Sequence, residues 1–230
     1  MNGSASPLAL DHLVVVAATL DEGVRWCEAT LGITPGAGGR HALMGTHNRL
    51  FSVASPTFPK AYFEIIAVDP EAPAPGRARW FGMDAAPPPE PRLLHWVARC
   101  SPLDWHRAAF ARAGHDIGPA VAAQRDMPAG PLRWRITVRD DGRLLGGGAL
   151  PTLIEWEAAH PAESMPQSGV TLEALTLRGL DEPTAALLRA PGVEWSGAPG
   201  AAIVAALQTP RGAVTLSSSL PLDGGGLGWG

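Results

Sequence analysis

The chain is poor in the features that announce the commoner chemistries. Its 230 residues include only two cysteines, Cys27 and Cys100. They have no CxxC spacing, so a CxxC metal or redox motif is excluded, and both read as small apolar fillers kept reduced in a cytoplasmic protein. Charged residues make up only 17% of the chain, the net charge is -4, and no basic run exists. A nucleic-acid surface is therefore not expected, because nothing would displace counterions from phosphates. No stretch approaches the roughly 18 unbroken apolar residues of a membrane-spanning helix. The opening segment Met1 to Pro7 has no positive flank and no apolar run, so it does not read as a signal peptide. No Walker loop is present. Gly146-Gly147-Gly148 lacks both the GxGxxG frame and a following helix, which removes a dinucleotide site. No GxSxG elbow surrounds a serine, which removes that hydrolase architecture.

Glycine and proline are abundant, at 27 and 23 residues. That balance predicts many short strands and turns. The apolar fraction of 46% in 230 residues suits one good-sized core, or one domain with an added piece. Residues 12–18 are a β-branched run that reads as a buried strand. Thr19 followed by Glu22 predicts a helix over 20–30, stopped by Gly32. Strands are predicted at 40–44, 49–54 and 61–68, with Gly45-Thr46-His47-Asn48 as a turn. His47 and Asn48 then read as turn residues, since Asn can hydrogen-bond its own backbone there. After a Pro- and Ala-rich connector carrying Trp80-Phe81, the order repeats. A strand at 94–100 precedes a helix opened by Ser101 and stopped by Gly114. Strands at 120–126, 132–139 and 152–158 follow. The last third reads as strand 170–177, helix 182–190, and strands 193–195, 202–208 and 212–218. The Gly-rich end after Asp223 is expected to be mobile.

Each of the first two β-α-β-β-β units has a His near the start of its first strand and a Glu inside its last. These are His12 with Glu64, and His95 with Glu155. An unpaired carboxylate between Phe63 and Ile65 would cost several kcal/mol or stay protonated. A bound cation would remove that cost. Neutral imidazole plus carboxylate suits Zn, Ni, Fe or Mn, with open positions for a substrate. The four residues are therefore expected to converge as metal ligands. The alternative reading for each is a hydrogen-bonded core His or a Glu on a solvated face.

The paired units with these residues resemble the vicinal oxygen chelate superfamily. Gly38-Gly39-Arg40-His41 with Gly45-Thr46-His47-Asn48, then Tyr62 to Asp69, is similar to its glyoxalase-like domain subgroup. So is Leu153-Ile154-Glu155-Trp156 with His160-Pro161-Ala162. The resemblance implies an α+β fold in which paired βαβββ modules form a curved eight-stranded cleft, with a smaller C-terminal βαβββ-like piece. The expected division is 8–165 (modules 8–69 and 92–165, connector 70–91), 166–220, and a tail at 221–230.

The resemblance implies a metal-dependent enzyme of the glyoxalase or dioxygenase type, a lyase, isomerase or oxygenase acting on a small molecule with vicinal oxygens. His41 is a candidate general base, because imidazole titrates near working pH, or an alternative metal ligand, or a residue whose hydrogen bond pins the Gly45–Asn48 turn. Arg133 and Arg135 on one strand face are candidates for holding an anionic substrate. Trp80 and Phe81 are candidates for capping the cleft. The expected partners are a small-molecule substrate and either no second subunit or one identical copy, with no nucleic acid and no membrane. The alternative is a metal-free protein that binds or sequesters a small molecule on the same fold.

Overall fold

The computed structural model describes residues 5–85, 87–125 and 131–218. The expected mobile tail at 221–230 lies outside them. The first module runs β1 (Ala9–Val16), α1 (Leu20–Leu31), β2 (Arg40–His41), β3 (Thr46–Ser52) and β4 (Tyr62–Val68). The second runs β5 (Arg92–Arg99), α2 (Leu103–Arg112), β6 (Ala120–Arg125), β7 (Leu132–Thr137) and β8 (Thr152–Trp156). Together they build one eight-stranded sheet in the order β2-β3-β4-β1-β5-β8-β7-β6. Each module contributes the same internal order, and the two join where β1 and β5 lie antiparallel. The fold is α+β, with the paired curved modules and smaller C-terminal piece that the sequence implies.

Local chemistry sets the element ends. Thr19 Oγ1 accepts the Glu22 N–H at 3.2 Å and caps α1. Gly32 closes that helix with φ of 77°, in the left-handed region that a side chain disfavours. The expected turn at Gly45–Asn48 is shifted. The Met44 N–H donates to the His41 carbonyl at 2.9 Å, so the chain reverses over 41–44. Thr46, His47 and Asn48 are already paired with Val68, Ala67 and Ile66. His47 and Asn48 are therefore strand residues. The sequence reading placed the turn by its polar residues, but pairing with β4 extends the strand through them.

The last piece runs β9 (Thr171–Arg178), α3 (Glu182–Leu187), β10 (Val193–Ser196), β11 (Ile203–Thr209) and β12 (Gly212–Ser217). Its sheet order is β10-β9-β11-β12, with the first strand inside. In the two modules the first strand stands at the end of its own four. The piece thus repeats the element order without repeating the module topology.

Two apolar layers follow from strand alternation. On the outer face Leu13, Val15, Phe63, Ile65, Trp96 and Leu153 share a core with Leu172, Leu175, Ile203 and Ala205 of the smaller sheet. On the concave face Val14, Val16, Ile66, Val97, Trp134 and Ile154 pack with Trp80 and Phe81 from the connector. The connector residues thus enter the cleft rather than resting at its rim.

Candidate functional site

The site forms on the concave face of the first module. His12 of β1 and Glu64 of β4 are each 5% exposed. Their Nε2 and Oε2 atoms lie 3.5 Å apart. The His41 Nε2 is 3.9 Å from the other Glu64 oxygen. Asn48 stands between them. Its amide nitrogen donates to Glu64 Oε1 at 2.5 Å and lies 3.3 Å from His41 Nε2. The Asn48 carbonyl oxygen accepts the Gly39 N–H at 2.7 Å, which fixes the amide's orientation. His41 Nδ1 contacts the Thr46 hydroxyl at 3.0 Å.

Asp11 completes the cluster from behind. It is fully buried. His12 Nδ1 donates to one of its oxygens at 2.7 Å. The other oxygen accepts from Trp156 Nε1 and His160 Nε2, both at 2.9 Å. His160 Nδ1 accepts the Ala162 N–H at 3.1 Å, so its Nε2 carries the proton toward Asp11. Tyr62 stacks on the His12 ring with centroids 4.6 Å apart. Neighbours on a flat strand point to opposite faces, so Asp11 and His12 should not meet. The pairing of β1 with β5 slips between Leu10 and His12, leaving Asp11 as an extra residue. That bulge turns its carboxylate to the His12 side.

These contacts set the charges. Burial pushes the Glu64 carboxyl up, but His12 outweighs it and holds the group down at about 2. Burial pushes His12 down, yet the hydrogen bond to Asp11 and the contact with Glu64 raise it to about 9. Asp11 resists its own burial through His12 and His160 and stays well below the usual carboxylate range. His41 has no such support. Burial dominates and lowers it to about 4, leaving a neutral imidazole. The cluster is an imidazolium between two carboxylates, flanked by a neutral His.

The second module does not mirror this. Leu13 faces Trp96 where β1 and β5 cross, with Val14 opposite His95 and His12 opposite Val97. Val14 pairs with Glu64 on one side, and Val97 pairs with Thr152 on the other. Thr152 thus stands where Glu64 has its counterpart, and Glu155 does not. His95 Nε2 accepts the Thr152 N–H at 3.0 Å and contacts the Thr152 hydroxyl at 3.0 Å. Its Nδ1 donates to the Gly148 carbonyl at 3.1 Å. Both ring nitrogens hold backbone, and burial pushes the ring down to about 3.

Glu155 lies on the opposite face of β8. It accepts from the Ser101 hydroxyl at 3.0 Å and the Leu103 N–H at 3.2 Å, at the start of α2. Arg135 joins it there at 3.3 Å and reaches Asp104 at 2.7 Å. Arg133 is exposed beside Gln124. Alternation places Trp134 and Ile136 in the cleft and turns the Arg133 and Arg135 side chains to the other face, away from His12 and Glu64.

The sequence's four-ligand set is therefore not assembled. Among the described residues no group of three or more His, Cys, Asp or Glu is arranged to hold a metal ion. The donor chemistry has a local reason. The Asn48 amide turns its hydrogens toward Glu64 Oε1 and His41 Nε2, where a cation would need free lone pairs.

The cavity beside His12, Glu64, His41 and Asn48 has a volume of about 30 Å³. That is room for only a few water molecules. Trp80, Phe81, Trp134 and Trp156 line it. The Trp80 ring meets His41 edge-on at 4.9 Å, and Phe81 lies 5.3 Å from the His95 ring. Phe81 has φ of 57°, unusual for a bulky side chain, so its entry into the cleft is held by the surrounding packing. A larger groove of about 610 Å³ adjoins this cavity and shares Leu50 and Arg125 with it.

The sequence marked Asn48, Trp156 and His160 only as members of motifs, with no role at the site, and Asp11 and Arg125 not at all. A carboxylate directly beside the candidate His was the one available signal for Asp11, and strand alternation argued against using it.

A family model described as Glyoxalase-like domain matches residues 10–191. No curated protein matches the chain. Among solved structures, a hypothetical protein from Staphylococcus aureus is similar at 13% identity and a TM-score of 0.55, over 91% of this chain and 86% of that one. A methylmalonyl-CoA epimerase from Mycobacterium tuberculosis matches at 20% identity and a TM-score of 0.39, over 66% of this chain and 88% of its own. A Streptomyces coelicolor methylmalonyl-CoA epimerase complex matches at 14% and 0.43, over 66% and 100%. At these identities the first similarity concerns the fold alone, and the two epimerase matches carry no argument about chemistry.

Proposed function

The chain belongs to the glyoxalase-like domain family, and from that premise we propose that it is a proton-transfer enzyme acting on a small carbonyl compound. The observation that carries this reading is the His12–Glu64 contact, 3.5 Å between Nε2 and Oε2, inside a buried cavity. A carbonyl substrate would lie against the cavity side of this pair, within reach of both groups. The Glu64 carboxylate would take the proton from the carbon next to the carbonyl. The His12 imidazolium would give its proton to the carbonyl oxygen, forming an enediol or enol. In an enediol, Glu64 then gives its proton to the former carbonyl carbon while the other hydroxyl's proton passes to His12, which completes an isomerisation. In an enol the proton returns to the same carbon, which is exchange. Asp11 is the positioning residue that holds His12 with Nε2 toward the cavity. Asn48 orients Glu64. A positioned acid and base of this kind contribute roughly 100-fold to 10,000-fold.

The test is hydrogen exchange at carbon. The protein is incubated in deuterated water with 2-oxo acids and α-hydroxy ketones, and proton NMR follows loss of the C–H signal. Exchange is expected in the unaltered chain and is expected to fall at least about 100-fold in His12→Gln and Glu64→Gln. Circular dichroism checks that both variants fold. Binding of these compounds with no exchange by the unaltered chain would overturn the enzyme reading in favour of a binding protein.

A second reading is a divalent ion on a reduced set of His12, His41 and Glu64. The approach of two imidazoles to one carboxylate favours it. It requires the Asn48 amide to turn away from Glu64. Titration with Zn, Ni, Fe or Mn followed by metal analysis separates the readings. Binding near one ion per chain, lost in Glu64→Gln, would favour the metal.

A further inference from the structure

Arg125 is 9% exposed at the end of β6. Its Nε has no hydrogen-bond partner among the described residues. A buried guanidinium nitrogen without an acceptor is costly, and native structures rarely leave one. Its place in the fold gives it a use. It lies where the edge strands of the two modules approach, with Gly39 beside it. A Cβ at Gly39 would stand 3.1 Å from Arg125 Cδ and 3.3 Å from Nη1, so the missing side chain makes the room that Arg125 occupies. Arg125 lines both the small cavity at His12–Glu64 and the larger groove.

A second orphan donor belongs to a residue that lines the same space. The Trp80 indole Nε1 is buried without an acceptor among the described residues, and Trp80 lines the small cavity. Two unmet donors around one cavity call for a ligand rich in acceptor oxygens. The groove beyond Arg125 is lined by Ile33, Leu50, Phe51, Pro161, Met165 and Pro166, which suit an apolar chain.

We propose that Arg125 is the anion receptor of this site, taking a carboxylate on a substrate whose apolar tail lies in the groove. The guanidinium offers a planar pair of N–H donors that matches a carboxylate. Held there, the carboxylate places its adjacent carbon toward the small cavity. This deepens the proton-transfer reading by naming the substrate class as 2-oxo acids with an apolar tail, whose keto carbon adjoins the carboxylate, and it rests on that reading only for the chemistry.

The experiment compares octanoate with 1-octanol, which share a tail and differ in charge. Binding is read by intrinsic fluorescence, since Trp80, Trp134 and Trp156 line the cavity. Octanoate is expected to bind the unaltered chain at least tenfold more tightly than octanol. In Arg125→Gln that preference should fall to within about twofold, and Arg125→Lys should recover part of it. Equal binding of the two probes by the unaltered chain would overturn the proposal even if Arg125→Gln fails to fold. So would a preference that survives in folded Arg125→Gln. The same comparison in Glu64→Gln keeps the readings apart. Octanoate preference there, with no carbon exchange in the unaltered chain, would leave the receptor standing and sink the proton transfer. Exchange without octanoate preference would do the reverse.

Discussion

Three donors converge on Asp11, from His12, His160 and Trp156, and the carboxylate has no exposed surface. Removing its charge leaves His12 with one carboxylate rather than two. Breaking a buried charge pair from one side costs on the order of 3–5 kcal/mol, so Asp11→Asn is expected to lower unfolding stability in urea by about 3 kcal/mol. The pH dependence follows from His12, whose pKa is raised to about 9. A folded state that binds a proton more tightly than the unfolded chain is stabilised below the unfolded value. That stabilisation is lost as pH rises through the folded one. Stability should therefore decline between about pH 6.5 and 9. Asp11→Asn should flatten the decline, because His12 then titrates lower. Urea denaturation of both proteins at several pH values checks this, and identical slopes would count against it.

At the scale of elements, a one-residue choice separates the modules. Glu64 of β4 and Thr152 of β8 occupy matching register positions, while Glu155 sits on the other face. A His and a Glu repeat by residue type in both modules, but the sheet register matches Glu64 with Thr152, so the repeat of residue type is not a repeat of position. The glycines before β2 were legible as a motif but not as a mechanism. A Cβ on Gly38 would collide with the Asn48 backbone and side chain. Gly38→Ala should displace Asn48 and with it the orientation of Glu64. We expect a cost of about 1–3 kcal/mol, the usual range for overpacking. Carbon exchange should fall as well, while Gly76→Ala, which meets nothing within 4 Å, should leave both unchanged. Denaturation midpoints and exchange rates measured together test the pair.

Across the whole molecule, the outer face of the large sheet and the smaller sheet share one apolar core. The Leu172 N–H also donates to the Val53 carbonyl at 2.9 Å, tying β9 to the end of β3. Shared burial of this kind couples unfolding. Calorimetry is therefore expected to show a single transition whose measured enthalpy matches the van't Hoff value. Two resolved transitions would mean that the C-terminal piece unfolds as a separate domain.

The sequence by itself determined the secondary-structure order, the repeat, and the α+β architecture, because hydrophobic periodicity and glycine punctuation are local signals. It also marked His12, Glu64 and His41, since a His or Glu embedded in an apolar strand stands out against its neighbours. Only the tertiary structure decided which of the marked residues meet. The β1 bulge brought in Asp11, the register of β8 put Thr152 where Glu155 had been expected, and alternation turned Arg133 and Arg135 outward. The approach of two distant edge strands placed Arg125 at the mouth of the site. Each depends on pairings between residues far apart in the chain, and a local pattern carries no record of a one-residue shift in such a pairing.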